Sequence, residues 1–273
     1  MRKAPVGIVY PIPDDPPTLV ERIALSLKVT LGYCPVCGRF TFFWAWGTNL
    51  RETGVCVVCR SKNRQRQLAY VLCRTLSGQV GFTLHSLSDL HRLSSLSIYN
   101  TEASGSLHAA LSRLSGYVAS EYFGPGYLPG EMVNGVRHED LTALSFPDAS
   151  FDIVLSSDVL EHVSNPYQAH REIWRVLRPG GRHIFTVPFH QTRYLDEVLA
   201  EPGEGGTPRV VKKALYHDDP LRPEGALVYT IFSLEMLIQL AHIGFRTLMY
   251  RLYQPLWGIL GSNGLVFEAI KEE

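Results

Sequence analysis

Cys34 and Cys37, then Cys56 and Cys59, stand as two Cys-x2-Cys pairs separated by eighteen residues. Each pair can grip one ion from a single tight turn, and two pairs close a tetrahedral cage of four thiolates. Such a cage selects Zn²⁺ over hard cations, with iron the other metal it accepts. Four thiolates leave no open coordination position, so the expected role of the ion is structural. The competing readings are chance pairs of buried thiols, or disulfides in a secreted chain. The start, Met1-Arg2-Lys3-Ala4-Pro5, has no apolar signal core and runs into Pro11, Pro13, Pro16 and Pro17, which favours a cytoplasmic metal knuckle. Cys73 is left over and is expected to pack as a small apolar residue.

A second set of reactive groups lies further on. Thr101-Glu102-Ala103-Ser104-Gly105 reads as a small-residue turn into a helix, where a ligand can approach the backbone. Glu121 follows Gly105 by sixteen residues, and an acid at that place can take both hydroxyls of a ribose. Asp140 can accept from an exocyclic amine. Ser156-Ser157-Asp158-Val159-Leu160-Glu161-His162 then runs off a further apolar segment. His162 is the candidate proton acceptor because its reference pKa is near neutrality. A histidine that merely caps or packs its helix is the competing reading. His190, Tyr194, Tyr216 and His217 are weaker candidates, and Glu161 is expected to orient its loop.

These groups need elements to hold them. The chain has 273 residues, 45% hydrophobic and 19% charged, enough for one large domain and a small one. No run approaches the length of a membrane span. Formal net charge is zero, yet residues 1–75 hold eleven Lys/Arg against four Asp/Glu, and the remainder carries the opposite surplus. Arg60, Lys62, Arg64, Arg66 and Arg74 could contact phosphates; a helix face docked on the acidic body is the preferred reading. Residues 1–32 read as a Pro-rich segment and a short helix, with Thr18 and Glu21 as its capping box. Residues 33–76 read as the metal module and a helix from about 62. Phe40, Phe42, Phe43, Trp44 and Trp46 lie between the cysteine pairs; they could stack on bases, but cover for a small module is the better expectation.

From about residue 95, short apolar runs alternate with helical stretches. Strands are expected at 96–99, 117–120, 151–156, 182–187, 245–252 and 265–270, and helices at 107–114, 167–177 and 234–242. That alternation predicts an α/β fold with a mostly parallel sheet over 77–273, its ligands beyond the carboxyl ends of the strands. Residues 190–228, rich in Gly, Pro and charge, are expected to form a lid or insertion.

Phe146-Pro147-Asp148, Ser150-Phe151-Asp152-Ile153-Val154, Asp158-Val159-Leu160-Glu161-His162-Val163 and Leu177-Arg178-Pro179-Gly180-Gly181-Arg182 resemble the class I S-adenosylmethionine-dependent methyltransferases of metabolites and lipids. The resemblance covers about 95–190. It implies a Rossmann-like, doubly wound sheet behind a zinc-ribbon-like module, and S-adenosylmethionine as cofactor. Position by position, it puts Thr101 to Gly105 at the cofactor's methionine part. Glu121, with Tyr122 beside it, goes to the ribose, Asp140 and Leu141 to the adenine, and Ser156, Ser157 and Asp158 to the other side. The family's Gly-x-Gly-x-Gly keeps only its last glycine here, and Tyr99 stands where the family has an acid; Glu102 could supply the missing charge. A small-molecule or sugar acceptor is expected. An RNA methyltransferase that uses its basic module, or a non-catalytic scaffold, are the alternatives. Sequence leaves oligomeric state open.

Overall fold

The computed structural model describes residues 7–8, 18–93, 95–203, 207–219, 222–261 and 264–272. The Pro-rich start, residues 1–17, therefore lies outside the described residues, except for Gly7–Ile8.

A nine-stranded sheet forms the centre. From one edge its order is Gly7–Ile8, Phe245–Arg251, Leu265–Lys271, Leu177–Thr186, Phe151–Ser157, Ile98–Asn100, Tyr117–Glu121, Val136–His138 and Met132–Val133. The inner strands run parallel, while Leu265–Lys271 is antiparallel to both of its neighbours. The α/β, mostly parallel sheet expected from alternation is the observed one. Sheet order reverses between Ile98–Asn100 and Phe151–Ser157, because the chain builds outward from Ile98–Asn100 and later returns to its other side. Such a reversal opens a crevice at the strands' carboxyl ends.

Period-two alternation divides the core. Ile98, Ile153, Leu155 and Ile184 face the helices Asn63–Val80 and Gly105–Leu111. Tyr99, Val154 and Phe185 face the helices Pro166–Val176 and Leu234–Ile243. Asn63–Val80 buries Leu68, Val71, Leu72, Cys73 and Leu76 along one stripe and ends at Gly81, whose φ of 75° is left-handed. Cys73 packs as expected, and the expected boundary after residue 76 falls inside this helix.

The front module is a three-stranded sheet, Val29–Cys34, Arg39–Trp44 and Val55–Cys56. Its Cys34, Val36, Phe43, Trp46 and Cys56 belong to the same apolar core as Ile98 and Ile153. The helix Leu19–Leu27 leads into it with the expected capping box: Thr18 Oγ1 accepts from the Glu21 amide, and Glu21 accepts from the Thr18 amide. The segment 254–261 clamps the module from the far end of the chain. Arg66, fully buried, lies 4.2 Å from the Phe43 ring centre and donates to the Gly258 carbonyl. The Gly261 amide donates to Glu21 at 2.7 Å. A Cβ on Gly258 would meet the Phe43 ring at 2.3 Å, so only glycine allows this approach.

In the described parts of 190–228 the chain forms short paired strands. The last of them, Tyr216–Asp219 with Arg222–Leu227, is a hairpin beside the crevice. Among the described residues no helix is long and apolar enough to cross a membrane.

Candidate functional site

A cleft of about 1070 Å³ occupies the crevice at the sheet reversal. Its floor comes from strand ends, where side chains can be displayed without breaking the core. Thr101, Glu102 and Ser104 follow the strand Ile98–Asn100, Glu121 and Tyr122 close Tyr117–Glu121, and Ser157 and Asp158 end Phe151–Ser157. Asp140, Leu141 and Thr142 form the side wall after Val136–His138. His162 enters from a single helical turn, Leu160–His162.

The carboxylates are held in place. One Glu121 oxygen accepts the Ala103 amide at 2.9 Å, which ties the end of one strand to the turn after its neighbour. One Asp140 oxygen accepts from both the amide and the hydroxyl of Thr142, at 2.8 and 2.7 Å. Thr101 Oγ1 is buried without a hydrogen-bond partner in the cleft wall. Burial pushes the Glu102 carboxyl up to about 7; Arg64 opposes this, while Glu121 and Asp158 add to it. Glu52, Glu102, Glu121, Glu139, Asp140 and Asp158 line one cavity against Arg51, Lys62 and Arg64, and that surplus of acids suits a cationic ligand.

Several sequence-predicted residues lie behind the wall. The Tyr99 ring packs against Phe146 and Phe151 beneath the sheet, its hydroxyl on Ser120 Oγ at 2.7 Å. Strand alternation turns Ser156 away from Ser157, and its hydroxyl meets His183 Nε2 at 2.8 Å inside the core. Neither forms part of the cleft lining, nor do Ala103 and Gly105. Ala103 meets the site through its amide alone. Gly105 has a φ of 76°, and the space beside it faces Gln65, which also accepts from Ser106 Oγ at 2.8 Å. Of the weaker candidates, Tyr216 and His217 line the cleft, while His190 and Tyr194 do not.

The front module supplies the cleft's remaining wall. Asn49, Arg51, Glu52, Lys62 and Arg64 all line it. Arg51 grips both oxygens of Asp158 with two guanidinium nitrogens. Arg64 Nε lies 3.3 Å from Asp158 and 2.7 Å from Glu52, and its Nη1 donates to the Ser157 carbonyl at 2.9 Å. Burial works against the Asp158 charge, but Arg64 and then Arg51 hold the carboxyl well below the usual range. Asp158 also sits at a φ of 56°, a conformation that costs a non-glycine residue and that this network enforces. Two members of the basic run, Arg64 and Arg66, are therefore spent on internal partners, as the docked-face reading anticipates. No local spacing in the sequence marks Arg51 or Glu52: Arg51 finds Asp158 107 residues away, and Glu52 finds Arg64 twelve residues on only once the module folds.

His162 Nδ1 donates to the Leu227 carbonyl at 2.8 Å, which leaves Nε2 as the ring's lone-pair nitrogen. Glu161 is fully buried beside it. Burial and then Asp158 raise the Glu161 carboxyl, and Glu161 in turn raises His217 against that ring's own burial.

The four module cysteines place their sulfurs within 4.8 Å of one another. Cys34 and Cys59 are 3.7 Å apart, Cys37 and Cys56 4.0 Å. A tetrahedron with metal–sulfur distances near 2.3 Å has edges of about 3.8 Å, so the donor set fits a zinc ion. Both knuckles close alike: the Gly38 amide bonds the Cys34 carbonyl at 2.8 Å, and the Arg60 amide bonds that of Cys56 at 3.0 Å. No cysteine is in a disulfide.

Residues 107–185 match the family model described as a methyltransferase domain. An uncharacterized methyltransferase of Mycobacterium avium is 34% identical over 126 residues, 42% of this chain and 46% of that protein. A probable S-adenosylmethionine-dependent methyltransferase of Mycolicibacterium smegmatis is 43% identical over 53 residues, 19% of this chain and 21% of its own length. Among solved structures, an S-adenosylmethionine-dependent methyltransferase from Mesorhizobium loti is 16% identical with a TM-score of 0.41, over 64% of this chain and 91% of that one. The chain spans less than half the length of the curated relatives it matches. The methyltransferase resemblance carried by the runs at 146–154, 158–163 and 177–182 is borne out over residues 107–185.

Proposed function

We propose that the methyltransferase domain of this chain transfers a methyl group from S-adenosylmethionine to a small-molecule or sugar acceptor. The observation that carries this reading is the cleft at the sheet reversal, whose lining brings together Glu102, Glu121, Asp140, Asp158 and His162. When bound, S-adenosylmethionine supplies a methyl activated on a positive sulfonium. The chain's own task is then alignment and exclusion of water. Glu121 takes the ribose hydroxyls, and Asp140 with Leu141 addresses the adenine. Glu102 meets the cofactor's ammonium in place of the family's missing acid. His162 Nε2 accepts the proton of a hydroxyl acceptor. The hairpin carrying Tyr216 and His217 shapes the acceptor side.

Zn²⁺ in the four-cysteine cage is part of this proposal, as the ion that keeps Arg51 and Arg64 on the cleft wall. Calorimetry with S-adenosylmethionine tests the whole: saturable binding that weakens in Glu121→Ala is expected. No heat and no thermal shift would leave the scaffold reading.

One observation favours a second reading. Phe40, Phe42 and Trp44 form a stripe on the module's outer face, 67%, 54% and 47% exposed, where cover was expected; among the five module aromatics, Phe43 and Trp46 turn inward. Exposed aromatics at alternate positions can stack on the bases of an RNA acceptor. Retention of the chain on RNA, falling steeply with salt, supports that acceptor class; salt-insensitive or absent retention removes it.

A further inference from the structure

At the inner end of the cleft three groups face one another without satisfying one another. Glu161 has no exposed surface, and neither of its carboxylate oxygens has a hydrogen-bond partner. A buried carboxylate in that state is unfavourable unless something positive reaches it. His217 Nδ1 lies 3.7 Å from its Oε1, and His162 Nε2 lies 3.9 Å from the same atom. Both distances exceed hydrogen-bond length. All three ligand atoms fall within 4.8 Å of one another.

That spacing fits an ion between them. Metal bonds near 2.1 Å bring tetrahedral ligand atoms to roughly 3.4 Å of one another, so the two carboxylate–imidazole distances of 3.7 and 3.9 Å need to close only a little to complete the site. The surroundings are arranged as for a metal ligand. His162 donates its other nitrogen to the Leu227 carbonyl, which fixes the ring with its Nε2 lone pair toward Glu161. Leu227 belongs to the hairpin that carries His217, and the Tyr229 amide just beyond donates to the Glu161 carbonyl at 2.7 Å. The hairpin and the turn Leu160–His162 are therefore locked together around the three groups. His162 and His217 line the cleft, so the remaining coordination positions face its cavity.

We propose that Glu161, His162 and His217 bind a divalent first-row transition-metal ion, separate from the four-cysteine site. Two imidazoles and one carboxylate are ligands such ions accept, and three protein ligands leave room for an oxygen from the cleft. The use of the ion in catalysis, though not its binding, rests on the methyl-transfer reading. An acceptor hydroxyl at the open position gives up its proton to water more readily, and His162 then serves as a ligand in place of its proton-accepting role.

The test uses the full chain with its cysteine site already filled by zinc, and Co²⁺ alone as probe. One further equivalent of Co²⁺ is expected to bind, with weak visible bands and without the near-ultraviolet absorption that thiolate ligands give. Glu161→Gln and His217→Ala are each expected to weaken that binding at least tenfold, the order seen for damaged metal sites. His217, with 36% of its side chain exposed, is the substitution that disturbs folding least. Absence of a second equivalent in the wild-type chain overturns the proposal, as does equal binding in wild type and His217→Ala. S-Adenosylmethionine binding measured on the same samples judges the methyl-transfer reading separately.

Discussion

The two walls of the cleft are built by opposite routes. The α/β body offers carboxylates, each at the end of a strand or just past it, where the sheet's reversal leaves a gap. The front module offers guanidiniums, Arg51 from the short helical turn Leu50–Glu52 and Arg64 from a helix start, beside a small sheet whose apolar residues join the body's core. The body wall is fixed by strand pairing. The module wall is fixed by the cysteine cage and by the segment 254–261. A site assembled in this way depends on a four-cysteine module none of whose cysteines lines the cleft.

Removing the metal, by chelation or by Cys34→Ser, is expected to have the largest effect. Because the module shares the core of one sheet face, a single cooperative transition should fall by about 10 °C or more in a thermal melt. Two separate transitions, with the body melting unchanged, would make the walls independent. His162→Ala comes next. Turnover should drop roughly a hundredfold while cofactor affinity stays within about threefold, and unchanged turnover would remove this imidazole from the chemistry.

Arg51→Ala tests the contact between the walls directly. It leaves Asp158 with Arg64 as its cation and the Thr186 hydroxyl as a further donor, and a loss of about 3 kcal/mol in urea unfolding is expected, the lower end of what breaking a buried ion pair costs. Arg51→Lys should recover little, because an ammonium cannot bridge both carboxylate oxygens as the guanidinium does. Glu121→Ala acts on the body wall only; an affinity for S-adenosylmethionine weaker by about tenfold to thirtyfold is expected, with a stability loss of about 1.5 kcal/mol from the Ala103 amide it leaves unpaired.

The smallest effect is a pH dependence at Glu102. Its carboxyl is raised to about 7 in the folded chain, against roughly 4.3 unfolded. The folded state thus favours the proton. The stability this contributes is present below the unfolded value and is lost as pH rises through 7. Cofactor binding runs the other way, because a cation needs the ionised form. Affinity should therefore rise about tenfold between pH 6 and pH 8, and Glu102→Gln should flatten the profile.

The body wall was largely legible in the sequence. Glu121, Asp140, Ser157, Asp158 and His162 lie where apolar runs end, and strand ends at a sheet reversal are where ligands meet an α/β fold. Tyr99 and Ser156 sit at the right sequence positions, yet strand alternation turns their side chains into the core. The strand Val136–His138 has too few apolar residues to announce itself, although it carries the chain to Asp140. Alternation within Arg39–Trp44 exposes Phe40, Phe42 and Trp44 while burying Phe43, and composition alone could not apportion them. The module wall was opaque for a different reason. Arg51 and Asp158 are 107 residues apart, and a pairing of that kind is set by how two sheets are placed, a property of the finished fold.

The clamp made by segment 254–261 has a bearing on how this protein comes into being. Glu21, Asn63 and Arg66 all bond to backbone groups between Gly258 and Gly261, so the part of the chain translated early is completed by a part translated late. The cysteines leave the ribosome long before the loop that packs on them. The ion can be captured early, but the arginines reach their final aim only after the closing strands have formed. Trimming the chain before residue 254 should therefore blunt the opposite end of the molecule first.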